Sequence, residues 1–452
     1  MYSKKRKKII SPVVDENYLE LRKKVQLILH VGKLLMENAA DTNRIVRSMK
    51  RTAAYTGIFG DQLHIHVTYT TLMVSVGVGN YHMTKLQKCY QHNVDMNIIS
   101  EVSRLTWEAI EYDYSIEKFE RELTKLEQKK SKYTSFIINF GAALACGGVG
   151  KMFGCDFVAA LYTALAAFIG FFVRSVCIKG KINPYMSIAI ASFIATVIAY
   201  LTHFLPFSST PWYPMLACAI FIVPGVPLIN ALEDMADCYI TAGMTRAMNT
   251  LLMVGSMTFG IIFAIKLFNI EDFTHLPAVD HQSYLVYVIS AFIAATGFST
   301  MFDVPPRLLW VVGIGGIISV CTRTLSMDIL SVGQPIGTLF GAMAVSIIAL
   351  KAVHWFHVPS HVLTIPSVIP LMPGIYMYRL LFNIIDVDAL NVENFLFSFQ
   401  SGVNAMLVIL AIAVGVAVPH IFAQKYIEES DSQRLRRMLS ERKYRQHITV
   451  KS

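Results

Sequence analysis

The sequence contains few charged residues for its length. Asp, Glu, Lys and Arg make up 16% of its 452 residues, whereas soluble domains carry about 25%. Hydrophobic residues account for 54%, and the mean hydropathy is +0.48. This shortage of charge excludes an ordinary soluble protein and predicts a polytopic α-helical membrane protein embedded in a lipid bilayer.

Patterns that would hold a metal ion, a disulfide framework or a nucleotide are also missing. Seven cysteines occur, but none has CxxC or Cys/His zinc spacing, and most lie in apolar runs. The sequence has no Walker A loop, no GxSxG elbow and no HExxH motif. We therefore expect no cofactor, no metal site and no enzymatic activity.

The net charge of +9 does not indicate a nucleic-acid-binding protein. The excess comes largely from the two ends, MYSKKRKK and RLRRMLSERKYRQHITVK. Basic flanks of this kind are typical of the cytoplasmic ends of membrane proteins. Residues 1–15 are predicted to be a disordered basic tail, and residues 424–452 a basic cytoplasmic tail.

Residues 16–132 have the pattern of a cytoplasmic α/β domain. Apolar residues first recur at spacings of three and four, as in an amphipathic helix, and later alternate in a segment rich in β-branched residues. Asp41-Thr42 is positioned to cap a helix. The predicted elements are a helix that begins at 16 and breaks near 38–41, a helix over 43–56, two or three strands within 63–87, and helices over 95–112 and 115–130.

From Tyr133 onward the chain is predicted to cross the membrane about ten times, since each span needs about 20 apolar residues. Loops rich in Lys and Arg, including 237–246 with Arg246, alternate with loops poor in them, which places both termini in the cytoplasm. The candidate spans are 134–150, 156–174, 184–204, 212–236, 246–268, 282–302, 308–322, 335–353, 361–385 and 397–422.

Two of these spans are interrupted at matching positions. Pro224-Gly225 and Pro373-Gly374 lie 149 residues apart, and the same offset separates Arg174 from Arg323. The offset predicts two five-helix repeats, residues 133–270 and 280–423, each with a broken fourth helix. Because five is an odd number, the second repeat would enter the membrane inverted, an arrangement found in transporters.

Polar groups at and beyond the breaks are the candidate substrate-binding groups, because a broken helix exposes backbone N–H and C=O groups to a ligand. Asp234, on one helix face with Asn230, is predicted to be a proton or amine site, because an acidic residue at membrane depth usually lines a pathway or pairs. Arg379 is predicted to bind a carboxylate. The predicted substrate-binding residues are Pro224, Gly225, Pro227, Asn230, Asp234, Pro373, Gly374 and Arg379.

Other charged residues are candidates for coupling or gating, and each also has a plainer interpretation. These residues are Asp237, Glu37, Asp41, Arg174 and Arg323. The alternatives are solvation at the cytoplasmic surface for Asp237 and for its neighbour Glu233, helix capping with local ion pairing for Glu37 and Asp41, and a topological or snorkelling role for the two arginines. His354, His357 and His361 are interpreted as interfacial loop residues rather than a metal cluster.

Two motifs resemble a known family. LLMENAADTNRIVRSM and VPGVPLINALEDMADCYITAGMTRA resemble the ThrE-type threonine/serine exporters and the larger component of the related YjjP/YjjB pair, which is linked to succinate export. Residues from about 282 to 422, with IPSVIPLMPGIYMYR, resemble the smaller component. The family has a glycine where this chain has Ala39-Ala40. The resemblance implies proton-motive-force-driven export, by an antiporter of the cytoplasmic membrane, of threonine and serine or else of a dicarboxylate such as succinate.

Two classes of function therefore remain open. A secondary exporter would account for the repeats, the interrupted helices and the missing ATP motif. A channel or a membrane sensor would use residues 16–132 to bind a ligand. The expected partners are a small-molecule substrate, protons and the bilayer, with no nucleic acid; the amphipathic helices of residues 16–132 would also suit a homo-oligomer.

Overall fold

The two parts of the chain that differ in sequence pattern form two units of different architecture. The computed structural model describes residues 16–451 apart from 80, 91–92, 130, 206, 223, 269–281, 357, 375 and 377–391. Residues 16–127 form a unit of helices around a small sheet, here called the N-terminal unit, and the helices from Ser135 onward form an apolar bundle. The tail predicted for residues 1–15 lies outside the described residues.

The N-terminal unit packs four helices with a three-stranded antiparallel sheet of order β1-β2-β3. Leu72 and Val74 of the central strand are fully buried, because alternate residues of a strand share one face. The predicted helices and strands are confirmed; a soluble, cytoplasmic location for the unit stays a prediction. The elements are α1 (Glu16–Glu37), α2 (Thr42–Tyr55), β1 (Leu63–Val67), β2 (Thr71–Val78), β3 (Tyr81–Lys88), α3 (Met96–Glu111) and α4 (Ile116–Glu127).

A tight turn joins α1 to α2, at the position where the sequence predicts a break. Ala39 has φ 63, in the left-handed region, and the Ala40 N–H donates to the Leu35 carbonyl at 3.0 Å. Asp41 caps α2 by accepting from the Arg44 backbone N–H at 2.8 Å. The carbonyls of Ala39 and Ala40 are thereby left free to accept hydrogen bonds from outside the unit.

The bundle contains eight helices long and apolar enough to cross a membrane, or nine if α8 and α9 form one span bent by 58°. Only described residues support this count, and part of the predicted span 361–385 lies beyond them, so ten spans stay a prediction. The helices are α5 (Ser135–Met152), α6 (Phe157–Lys179), α7 (Pro184–Thr202), α8 (Tyr213–Ala217), α9 (Gly225–Ala236), α10 (Ile240–Leu267), α11 (Tyr284–Met301), α12 (Leu309–Leu330), α13 (Gln334–Phe356), α14 (Ser360–Val368) and α15 (Val392–Lys451).

Several predicted boundaries in the bundle are wrong, and α6, for example, continues to Lys179, past the predicted end of 156–174. α10 begins at Ile240, so Arg246 lies in its second turn with 4% exposure and not in a cytoplasmic loop. The helix starts early because a tight turn, with Cys238 at φ 67, lets the Tyr239 N–H donate to the Asp234 carbonyl at 2.7 Å. α12 extends to Leu330, eight residues beyond the predicted end of 308–322.

The two halves of the bundle pack in the same order. α5 contacts α6, α6 contacts α7 and α7 contacts α10; likewise α11 contacts α12, α12 contacts α13 and α13 contacts α15. Where α5 crosses α11, a Cβ on Gly148 would lie 2.9 Å from the Ala294 nitrogen, and one on Gly297 would lie 2.5 Å from the Ala145 nitrogen. Adding 149 to the numbers of Gly148 and Ala145 gives Gly297 and Ala294, so each contact is the counterpart of the other in the two halves.

The same reciprocity holds at the two Pro-Gly breaks. A Cβ on Gly225 would lie 2.7 Å from Cδ1 of Ile369, and one on Gly374 would lie 3.4 Å from Cγ1 of Ile220. Ile220 and Ile369 begin short 3-10 turns that precede the breaks. Each break therefore packs against the turn of the other half.

One contact between the N-terminal unit and the bundle lies at the start of α3. The Met96 N–H donates to the Phe302 carbonyl at 2.9 Å, and the Tyr133 hydroxyl donates to the Val304 carbonyl at 2.7 Å. Asp95 caps α3 by accepting from the Ile98 N–H. The pKa of Asp95 is raised to about 6, mainly by burial and in part by Asp303, while hydrogen bonds from backbone N–H groups oppose the shift.

Asp95→Asn is expected to stabilise the protein at neutral pH but not at low pH. The pKa in the folded state, about 6, lies above the reference value of 3.8, so the stabilisation from the proton on Asp95 is complete below about pH 3.8 and is lost as pH rises through about 6. The amide stays neutral and keeps the cap. Its unfolding free energy at about pH 7.5 should exceed the wild-type value by up to about 3 kcal/mol.

Thermal unfolding of the full chain in detergent at about pH 7.5 and at about pH 4.5 checks this expectation. A gain of equal size at both pH values would contradict it.

Candidate functional site

A cavity of about 810 Å³ lies between the N-terminal unit and the bundle. Its wall includes residues of α2, α3, α9, α14 and α15, and its size falls in the range of small-molecule sites. Six cationic side chains and five carboxylates line it, so opposite charges nearly balance. The wall is therefore suited to a small polar ligand that carries both signs of charge.

Asp234 lies at the centre of the contact between α9 and α2, here called the joint. Its Oδ1 accepts from the Thr42 backbone N–H at 2.8 Å, and its Oδ2 accepts from the Thr42 hydroxyl at 2.9 Å. Nε of Arg246 lies 3.0 Å from the same Oδ2, although its N–H is not aligned as a hydrogen bond. Because Thr42 begins α2, the carboxylate also faces the positive end of that helix.

The free carbonyls of the α1–α2 turn complete the joint. Nδ2 of Asn230 donates to the Ala39 carbonyl at 2.7 Å, and Nη2 of Arg246 donates to the Ala40 carbonyl at 2.9 Å. Asn230 and Arg246 are 1% and 4% exposed. Buried polar groups with such partners hold one defined geometry, so the joint fixes the N-terminal unit on the bundle.

A chain of polar contacts runs from the joint along the wall of the cavity. Nε of Arg44 lies 2.9 Å from Oδ1 of Asp41, and Nη2 of Arg44 donates to Nδ1 of His361 at 2.7 Å. Nε2 of His361 lies 3.1 Å from Oε2 of Glu233. Burial acts to raise the pKa of Asp41, but the nearby cations, Arg44 first, outweigh it and hold that pKa well below its usual range.

Asp237 makes a separate contact at the edge of the joint. Its Oδ2 accepts from Nδ2 of Asn43 at 2.8 Å. Burial raises the pKa of Asp237, while the Asn43 hydrogen bond opposes the shift. Asn230, Asp234 and Asp237 thus all contact residues of the N-terminal unit, and their predicted roles in substrate binding or coupling stay predictions.

The remaining predicted site residues are spread over the bundle. Pro224, Gly225 and Pro227 lie at the start of α9, and Pro373-Gly374 follows α14 and its 3-10 turn. They form the contact between the two breaks described above. The structure therefore brings the Pro-Gly breaks together, whereas Asp234 belongs to the joint with the N-terminal unit.

Arg174, Arg323 and Glu37 lie away from the cavity wall. Arg174 and Arg323 are half-buried in α6 and α12, and Nε of Arg174 has no hydrogen-bond partner among described residues. Glu37 accepts from the Tyr90 backbone N–H at 3.3 Å. Arg379 lies outside the described residues, so its predicted role stays untested.

Sequence reasoning missed Arg246, His361 and His420 as residues of this region. Arg246 had the signal of an arginine close to an apolar run, but the early start of α10 was not visible. His361 was interpreted as a loop residue, which is wrong, because it lies in α14 and contacts both Arg44 and Glu233. In the described part of the chain, no group of three His, Cys, Asp or Glu side chains could hold a metal ion.

Family models match both halves of the chain. Residues 26–268 match the ThrE model, described as "Putative threonine/serine exporter", and residues 287–422 match a second model, described as "Threonine/Serine exporter, ThrE".

Curated relatives match the same regions. The chain is 21% identical to "Probable succinate transporter subunit YjjP" of Escherichia coli (strain K12), over 54% of this chain and 95% of the relative. It is 20% identical to "Threonine/serine exporter" of Corynebacterium glutamicum, over 82% of this chain and 77% of the relative. No solved structure matches the chain significantly.

Proposed function

Because the chain belongs to the threonine/serine exporter family, whose members are multi-pass membrane transporters and not enzymes, we propose that it exports threonine and serine across the cytoplasmic membrane. The proton-motive force drives this export, with protons moving against the amino acid. The termini and the N-terminal unit lie on the cytoplasmic side, and the two halves of the bundle are inverted repeats.

The cavity is the observation that supports this proposal best. It lies between the N-terminal unit and the ends of α9 and α14 that carry Glu233 and His361. On the proposed orientation, a substrate would enter here from the cytoplasm. Arg47 lines it half-buried and makes no hydrogen bond or ion pair with any described residue, so its guanidinium is open to a substrate carboxylate. Glu233 and Asp237 in the same wall would attract an ammonium group.

The reciprocal packing of the two breaks supports the transport mechanism. In transporters of this type, one repeat moves against the other around a site at the interrupted helices. The pairs Gly225–Ile369 and Gly374–Ile220 give the two halves such a contact. The other predicted substrate groups among the described residues are Asn230 and Asp234, which hold the N-terminal unit in this conformation. We propose that they meet substrate only after the joint has opened.

A dicarboxylate is the second candidate substrate, since relatives of the N-terminal half carry the name of a succinate transporter subunit. The relative that matches 82% of the chain is the amino-acid exporter, which favours threonine and serine. A channel or sensor would also use the cavity, but it would not respond to the proton gradient.

Efflux of labelled threonine, serine and succinate from proteoliposomes tests the proposal, with and without a protonophore. We expect efflux of threonine and serine that the protonophore abolishes. Succinate efflux alone would change the substrate class. Amino-acid efflux that is insensitive to the protonophore would indicate a channel, and no efflux of any of the three would reject the proposed function.

A further inference from the structure

His361 connects three parts of the molecule through one imidazole ring. It lies in α14, receives a hydrogen bond from Arg44 of α2 on Nδ1, and contacts Glu233 of α9 through Nε2. The side chains of His361 and Glu233 are 12% and 7% exposed, and both lie in the cavity wall. The ring therefore links α2 of the N-terminal unit to α9 and α14, the interrupted helices of the two halves of the bundle.

The chemistry of Arg44 fixes the protonation state of this ring. A guanidinium has only donors, so Nδ1 of His361 must accept and cannot carry a proton while the 2.7 Å hydrogen bond is made. Nε2 then carries the proton, and this N–H donates a hydrogen bond to the Glu233 carboxylate at 3.1 Å. His361 is accordingly neutral when the joint is closed.

We infer that Nδ1 of His361 is a proton-binding site, at which a proton from the cavity competes with Arg44 for one nitrogen lone pair. Proton uptake turns Nδ1 into a donor and makes the ring cationic, so Arg44 loses its acceptor and meets a like charge. The attraction between His361 and Glu233 becomes stronger at the same time. A proton therefore loosens the N-terminal unit from the bundle while it tightens the contact between α9 and α14.

The surroundings of the ring allow a proton to replace Arg44 at Nδ1. His420 of α15 packs beside it with ring centroids 4.7 Å apart, and Nε2 of His420 has no hydrogen-bond partner among described residues. The Ser360 hydroxyl lies 3.5 Å from Nδ1, too far to replace Arg44 without movement. The other charged groups that face this region are Asp41, Arg47, Asp237 and Lys351.

Hydrogen–deuterium exchange of the full chain tests the competition directly, because the Thr42 amide donates across the joint to Asp234. After correction for intrinsic rates, exchange in residues 41–46 should be about tenfold faster near pH 5.5 than near pH 8. His361→Gln, which cannot gain a charge, should remove this pH dependence.

Two further variants keep the test decisive. His30→Gln changes a histidine that contacts Glu127 at the same 3.1 Å on the N-terminal unit, and it should keep the wild-type response. Arg44→Met removes the competitor and should give fast exchange at both pH values, even if the His361 variant fails to fold. A wild-type chain without the pH response, or an Arg44→Met variant that keeps it, would overturn the inference.

The role in transport rests on the proposed function and is measured separately. In proteoliposomes, His361→Gln should lose the stimulation of threonine efflux by a pH gradient but keep threonine exchange at equal pH. If the wild-type chain transports no amino acid, the proposed function fails while the exchange result stands. If His361→Gln keeps the full stimulation, His361 is not the coupling site.

Discussion

Asp234→Asn is expected to release the N-terminal unit and to abolish export. The change removes the negative charge beside Arg246, which is 4% exposed and would remain buried without a carboxylate partner. Breaking such a buried pair costs about 3–5 kcal/mol. One of the two hydrogen bonds from Thr42 would also be weakened, because a neutral amide offers only one acceptor oxygen.

The unfolding free energy in detergent and exchange of residues 41–46 measure this loss, and efflux measures the functional effect. Asp237→Asn is the matched control: the same chemical change three residues away affects one hydrogen bond from Asn43 and should cost about 1 kcal/mol or less. The double variant that combines Asp234→Asn with Arg246→Met should recover much of the stability that the single Asp234 variant loses, because no buried charge is left unpaired. A single Asp234 variant as stable as the wild type would show that the joint does not depend on this charge.

Gly297→Ala is expected to separate the two halves of the bundle where α5 crosses α11. The new Cβ would lie 2.5 Å from the Ala145 nitrogen and 2.6 Å from the Gly141 carbonyl oxygen, and backbone atoms cannot move aside as side chains do. Small residues allow such close helix contacts in membranes. Overpacking costs about 1–3 kcal/mol in well-packed cores, and two clashes with the backbone of α5 place this variant at the upper end.

Two other glycines give the comparison its controls. Gly148→Ala meets the Ser290 carbonyl oxygen at 2.8 Å and should have a smaller effect of the same kind, since it occupies the reciprocal position. Gly255→Ala in α10 meets no atom within 4 Å and should leave stability unchanged or slightly raised. Size-exclusion profiles and thermal unfolding in detergent should rank the variants in this order; equal behaviour of the Gly297 and Gly255 variants would contradict the close helix crossing.

Local patterns in the sequence predicted the elements of the N-terminal unit. The change from helical to alternating periodicity identified β1 to β3, and Asp41-Thr42 identified the start of α2, because strands and helix caps depend on neighbouring residues. The Pro-Gly breaks were visible for the same reason, since proline removes a backbone donor wherever it stands. The 149-residue offset further predicted which breaks correspond.

The partners of the polar residues were not visible. Asp234 and Thr42 lie 192 positions apart, and Arg44 and His361 lie 317 apart. No local pattern relates residues at such separations. Asp234 was therefore assigned to a substrate on the strength of its place after a helix break, while the structure shows its carboxylate bound to Thr42 and Arg246.

The sequence by itself determined that this chain is a polytopic helical membrane protein with a helix-and-strand unit at its N-terminus and two matching helix breaks. Composition and periodicity suffice for that, because the bilayer and the backbone impose the same requirements on every chain. Only the tertiary structure decided that the α1–α2 turn docks on α9 and that His361 lies between Arg44 and Glu233. A proton site of this kind depends on which hydrogen-bond donors and acceptors come into contact, and only the packing of the elements determines those contacts.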